Sequence, residues 1–227
     1  MKTLTQALSL LAERKVMTLA GVGGAVPSLA SEIAGRPMTG SWWGHPNGRE
    51  IFRLSSELAD HEYVLLMKLI ESKVAFVHRS LWPAVLCAAI KPSRVAAATA
   101  SLSPRARKLR DAVESEGALR LDSHAKETGE DLKVLKKAAD ELAAGALALS
   151  TQEHTEAGAH FTVLRSWQDW AAPAVLSAAK RIAFADALAA VEEACAGLRT
   201  PFRSAALQRE TPGNAHTSGA QRRHAKE

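Results

Sequence analysis

SPRARKLRDAVESEGALRLDSHAKETGEDLKVLKKAADELAAGALALSTQEHTEAGAHFTVLRSWQDW, residues Ser103 to Trp170, decides the fold. Ser103 and Pro104 suit an N-cap and a first helical position, and Ala106, Leu109 and Val113 recur at helical spacing until Gly117 ends the run. Ala118–Leu121 reads as a short strand. Asp122 can cap a brief second helix through Glu127, and Gly129 breaks the chain before Glu130 opens a third helix. In that third helix Leu132, Leu135, Ala139 and Leu142 fall three and four apart, which gathers them on one face and turns Lys133, Lys136 and Lys137 elsewhere. After Gly145, Leu147 and Leu149 alternate as a strand, residues 153–158 form a polar turn, and Phe161 and Val163 alternate on the return. Helix, strand, helix, helix, strand, wing, strand is the order of a winged helix, which predicts a DNA-binding module rather than a catalytic fold.

The first ninety residues repeat that order more loosely. Thr3 or Thr5 can cap a helix through Arg14 with Leu4, Leu8 and Leu11 on one face; Val16–Leu19 reads as a strand, and Pro27 opens a short helix ending at Gly35. Gly21, Gly23 and Gly24 lack both the GxGxxG spacing and a following Lys-Ser or Lys-Thr pair, so they read as a connector and not a phosphate loop. Ile51, Leu54 and Leu58 carry a third helix, and Tyr63–Ile70 and Val74–Arg79 form two strands joined at Glu71-Ser72-Lys73. The expected class is α+β, mainly α: tandem winged-helix modules at 1–90 and 102–171, a linker at 91–101, one long helix at 172–199 and a disordered basic tail at 200–227.

Lys and Arg total 29 against 24 Asp and Glu, and a sequence pI near 9.4 tilts the expected partners toward polyanions. No run of about 18 uncharged apolar residues appears, and Glu13, Arg14 and Lys15 interrupt the first apolar stretch too early for a signal peptide, so a cytoplasmic protein is expected. Cys87 and Cys195 sit in alanine-rich helical sequence and read as small packing residues, with no metal, cofactor or disulfide implied.

Gly40-Ser-Trp-Trp-Gly-His-Pro-Asn-Gly48, Lys73-Val-Ala-Phe-Val-His-Arg-Ser-Leu-Trp-Pro83 and Glu153-His-Thr-Glu-Ala-Gly-Ala-His160 resemble a group of small bacterial proteins related to the AlkZ-type winged-helix DNA glycosylases. The resemblance covers roughly residues 3–171 and implies duplex DNA as partner and a role in DNA repair. The full-length glycosylases use a Gln-x-Asp or Gln-x-Gln pair; here Gln152-Glu153-His154 ends in His, so the excision chemistry does not carry over onto it.

The candidate DNA contacts follow from residue chemistry. Lys133, Lys136 and Lys137 lie on the helix that a winged helix inserts in the major groove, and lysines favour phosphate over base contact. His78 and Arg79, with Lys73 at the hairpin turn and Lys68 on the partner strand, put cations beside a helix start. Trp42 and Trp43, in a loop where neither helical nor strand periodicity accounts for them, either stack on bases or plug a gap between modules; His45 is expected to be the more exposed member of that cluster. Glu153, His154, Glu156 and His160 fit a polar wing better than a metal or acid/base site, although carboxylates at a wing tip repel phosphates. Two other function classes stay open: a glycosylase-like enzyme, favoured by a cleft lined by these carboxylates and the tryptophans, and a protein-docking module, favoured by an exposed apolar patch.

Overall fold

Two stretches of the chain fold into the same order of elements. In the computed structural model, which describes residues 3–38, 40–154 and 160–203, the first is α1 (Leu4–Arg14), β1 (Val16–Thr18), α2 (Leu29–Ala34), α3 (Gly48–Ala59), β2 (Val64–Ile70) and β3 (Lys73–His78). After a 3-10 turn at Arg79–Leu81 come α4 (Trp82–Ala89) and α5 (Pro92–Ala100). The order then recurs as α6 (Pro104–Glu116), β4 (Ala118–Arg120), α7 (Leu121–Thr128), α8 (Leu132–Ala144), β5 (Leu149–His154) and β6 (His160–Arg165). Three helices close the described chain: α9 (Trp167–Trp170), α10 (Pro173–Lys180) and α11 (Phe184–Ala194). The class is α+β with helices dominant. Each stretch carries a three-stranded antiparallel sheet whose last strand lies in the middle, in the orders β1-β3-β2 and β4-β6-β5.

Side-chain caps set several of the helix starts. Thr3, Ser28, Ser103 and Asp131 each accept a hydrogen bond from a backbone N–H in the first turn of α1, α2, α6 and α8, which satisfies donors that the helix itself cannot. Asp122 is not a cap, contrary to expectation: α7 begins one residue earlier, and the Asp122 carboxylate is held instead by a two-pronged bond from the Arg120 guanidinium, at 2.6 and 2.7 Å. Between β2 and β3 the chain turns on two left-handed residues, Glu71 (φ 50°) and Ser72 (φ 57°), without the glycine such a turn favours. The Glu71 N–H donates to Arg199 O at 3.0 Å, so the C-terminal segment clamps this turn.

Three expected features take another form. The supposed linker is a helix, α5, because Pro92 suits its first turn and alanines favour helix; it is anchored not by an apolar side chain but by Arg94, which is 1% exposed. The supposed long helix breaks at Arg181–Ala183. Unbroken, a helix over 172–199 would run about 40 Å against about 12 Å for α4, whereas the break lets both α10 and α11 pack on α4. The tail does not lose order at 200: Thr200 and Phe202 are buried, and Phe202 lies beneath the Arg94 guanidinium. The remaining tail, with its basic run at Gln221–His224, lies outside the described residues.

Leu109, Val113, Leu135 and Leu142 form a core within the second stretch, and Leu11, Leu54, Leu58 and Phe76 one within the first. A larger cluster joins the stretches: Leu65, Met67 and Val77 pack with Val85, Leu149, Trp167, Val191 and Phe202. Cys195 belongs to it, and burial pushes its thiol up to about 12; Cys87 is partly buried beside Ile182 and raised for the same reason. Among the described residues no helix is long and apolar enough to cross a membrane, and no group of His, Cys, Asp and Glu is arranged to hold a metal.

Candidate nucleic-acid interface

The outward face of α8 is basic because its inward face consumes the apolar residues. Leu135, Ala138, Ala139, Leu142 and Ala143 are buried, leaving Lys133, Lys136, Lys137 and Asp140 together on the opposite side at intervals of three and four. All four are exposed. The carboxylates that could balance the lysines are engaged elsewhere. Asp131 caps the helix, Glu141 accepts from the Ser103 N–H (3.0 Å) and hydroxyl (3.1 Å), and Asp140 Oδ1 sits 2.7 Å from Lys68 Nζ on β2. Among the described residues, no ion pair involves the three lysines. Lys68, placed with the hairpin cations on sequence grounds, acts here as the counterion of Asp140.

Trp42 and Trp43 differ in burial, and neither plugs a gap between the two stretches. Trp42 is buried against Ala30 and Ile51 and plugs a gap inside the first stretch. Trp43 stacks on it, with ring centroids 4.2 Å apart and planes at 23°, and is itself 68% exposed. Phe52, on the first turn and a half of α3, lies 5.7 Å from Trp43 and is 45% exposed. Gly48 permits this approach of loop to helix, since a Cβ there would stand 3.0 Å from Trp43 O. His45 is half-buried, with its Nδ1 accepting from the Asn47 N–H at 3.2 Å, so Trp43 and not His45 is the exposed member.

The hairpin cations do not form one cluster. Lys73 lies at the turn, exposed, while His78 and Arg79 lie at the other end of β3, five residues or about 17 Å away. Burial and the neighbouring Arg79 charge lower the His78 pKa, so this imidazole is neutral at pH 7; its Nδ1 accepts from the Ser80 N–H that opens the 3-10 turn. Arg79 lies over the Tyr63 ring at 3.6 Å and is exposed.

Sequence periodicity did not point to the cleft of about 480 Å³ that opens between the two stretches. The first stretch supplies α3, β2 and β3 as one wall; β5, β6 and Trp170 form the other. The volume falls in the range of small-ligand sites. Its walls are apolar, with Phe52 at one side, but β5 brings a short polar row. Thr151 Oγ1 is buried without a hydrogen-bond partner, Gln152 Nε2 donates to Thr162 Oγ1 at 2.8 Å, and Glu153 Oε1 lies 3.8 Å from Arg165 Nη2. Gln152 and Glu153 therefore belong to a strand facing the cleft and not to a wing tip. His154 and His160 form the last backbone pair of the β5–β6 ladder, and Glu156 lies outside the described residues. Phe52 could have been found from sequence as the large aromatic one position off the buried Ile51–Leu54–Leu58 stripe; nothing local marks Arg165 or Trp170 as its neighbours across the cleft.

No protein-family model matches the chain, and no curated protein or solved structure matches it.

Proposed function

We propose that the chain is a duplex-DNA-binding protein built from two winged-helix modules, residues 1–90 and 102–171, that grips the phosphate backbone through the outward face of α8. The observation that carries this is the charge arrangement on that face: three exposed lysines at helical spacing, with Asp131, Asp140 and Glu141 each bound to another partner. A helix so disposed presents net positive charge, with Asp140 the one carboxylate on that face and paired to Lys68, and lysine ammonium groups suit phosphates better than base edges. The repeated element order and the sheet orders β1-β3-β2 and β4-β6-β5 support the winged-helix assignment. Arg79 and Lys73 supply further positive charge at the two ends of β3, whereas His78, neutral at pH 7, supplies a turn cap instead. Binding of this kind is salt-sensitive and weakly sequence-selective. The family resemblance adds a role in DNA repair in a cytoplasmic bacterial setting.

Fluorescence anisotropy of a labelled duplex across a salt series tests the proposal. The Lys133→Ala/Lys136→Ala/Lys137→Ala variant should bind more weakly to every sequence and flatten the salt slope by roughly one unit per lost phosphate contact. Unchanged affinity and slope would remove α8 as the contact helix.

One observation favours a second reading, a glycosylase-like enzyme: Glu153 lines an inter-module cleft that Trp170 also lines. Against it stands the 3.8 Å approach of Arg165, which provides that carboxylate with a structural partner.

A further inference from the structure

Resting on the reading of the chain as a DNA-binding protein, we propose that Trp43 and Phe52 form a stacking platform for an unpaired nucleobase, so that the protein prefers DNA containing an unpaired nucleotide over fully paired duplex. The platform is preformed. Trp42, only 7% exposed, backs the Trp43 indole at 4.2 Å and fixes its plane, which leaves the other face of a ring that is 68% exposed open to a ligand. Phe52 extends the apolar ledge at 5.7 Å. An immobilised ring loses little further entropy when a second ring stacks on it.

The surroundings select a nucleobase over an aliphatic side chain or a second apolar protein face. Arg49 lies on the same outward face of α3 as Phe52, three residues away and exposed, where a phosphate attached to the stacked base can reach it. Phe52 also borders the cleft, whose apolar walls carry the Thr151 hydroxyl and the Gln152 amide as well as Asp60 and the Glu153–Arg165 pair. Thr151 Oγ1 has no hydrogen-bond partner among the described residues, and the Gln152 amide uses an N–H on Thr162. Flat apolar faces with donors and acceptors only at the edge are the chemistry of a heteroaromatic base. Paired bases within a duplex present no free face to such a platform, so the preference is for single-stranded or bulged positions.

The test compares two labelled DNAs of equal length, one fully paired and one with a single-nucleotide bulge carrying 2-aminopurine, on the full chain. The wild type should bind the bulged DNA roughly 10-fold more tightly, the equivalent of one base–aromatic stack, and should quench the 2-aminopurine emission. Trp43→Ala should bring the affinity for bulged DNA down to that for paired duplex and leave the 2-aminopurine emission unquenched; Trp43→Phe, which keeps a ring, should retain most of the preference. Equal affinities of the wild type for the two DNAs overturn the platform while leaving duplex binding intact. So does a Trp43→Ala variant that keeps the preference, whether or not its affinity for both DNAs falls together. Failure of the wild type to bind either DNA overturns both this inference and the DNA-binding reading beneath it.

Discussion

Replacing Arg94 with Met should loosen the two halves of the molecule from each other. The guanidinium is 1% exposed and pairs with no carboxylate among the described residues; Nε and Nη2 donate to Ala89 O at 3.1 and 2.5 Å, Nη1 to Gly145 O at 2.7 Å and Nη2 to Ala146 O at 2.9 Å. Ala89 ends α4, while Gly145 and Ala146 follow α8, so one side chain satisfies terminal carbonyls of two helices belonging to different modules. Burial lowers its pKa to about 10, which leaves it charged at neutral pH. Met keeps the aliphatic bulk and removes the donors. Ala146 O retains the Trp167 Nε1–H at 2.9 Å, but Ala89 O and Gly145 O lose the side-chain donor that Arg94 supplies. Leaving the buried Ala89 carbonyl without a partner costs about 1–3 kcal/mol and the half-buried Gly145 carbonyl, which solvent can reach, costs less, offset in part because a charge no longer has to be desolvated, giving a net loss of about 1–3 kcal/mol. Urea unfolding followed by tryptophan fluorescence and by far-UV circular dichroism measures it. The wild type should unfold in one coincident transition, and the variant at lower urea with the two probes separating. A variant within about 0.5 kcal/mol of wild type, the spread usual for inconsequential substitutions, would refute Arg94 as the tie between modules.

Asp140→Asn removes the one carboxylate on the lysine face of α8 and frees Lys68 from its 2.7 Å ion pair. Because Asp140 is exposed, stability should change by about 1 kcal/mol or less, while affinity for paired duplex should rise roughly two- to threefold at low salt; a drop in affinity measured by anisotropy would show that the face does not meet phosphate. Incubation of the purified chain with methylated duplex followed by alkali should give no strand breaks, since Glu153 is engaged with Arg165 and Gln152 with Thr162; breaks that disappear in Glu153→Gln would instead make the cleft an active site.

Local signals carried the helices and strands because their causes are local. The Ser103 cap, the Ile51–Leu54–Leu58 and Leu135–Ala139–Leu142 stripes and the alternation of Phe161 and Val163 each act within a few residues, and their elements stand where those signals put them, although α8 starts at Leu132 behind an Asp131 cap and not at Glu130. What escaped depended on contacts distant in sequence. A linker and a helix anchored by a buried arginine have the same composition at 91–101 until Gly145 and Ala146, some fifty residues on, supply its acceptors. The break at Arg181–Ala183 answers the short length of α4, which lies ninety residues upstream. The cleft is legible in neither half alone, because α3 and β5 each contribute one wall.

The two modules use one helical frame for two kinds of outward chemistry. Setting the N-caps Asn47 and Asp131 on each other brings Ile51 over Leu135, Leu54 over Ala138 and Leu58 over Leu142, so α3 and α8 bury equivalent stripes. The outward positions then differ in a consistent way. Arg49 matches Lys133, but Phe52 stands where α8 has Lys136, Arg53 where it has Lys137, and Ser56 where it has Asp140. Arg53 is held between Glu50 (2.7 Å) and Glu57 (2.5 Å), which cancels much of its charge, whereas Lys137 has no such neighbour in an ion pair among the described residues. One helix therefore presents a line of ammonium groups to solvent, and the other an aromatic ring beside a cleft. Phosphate attraction is long-ranged and tolerant of sequence, and stacking is short-ranged and demands an accessible base face. Under the proposed DNA-binding function, a protein carrying both would locate duplex DNA through α8 and discriminate among its sites through α3.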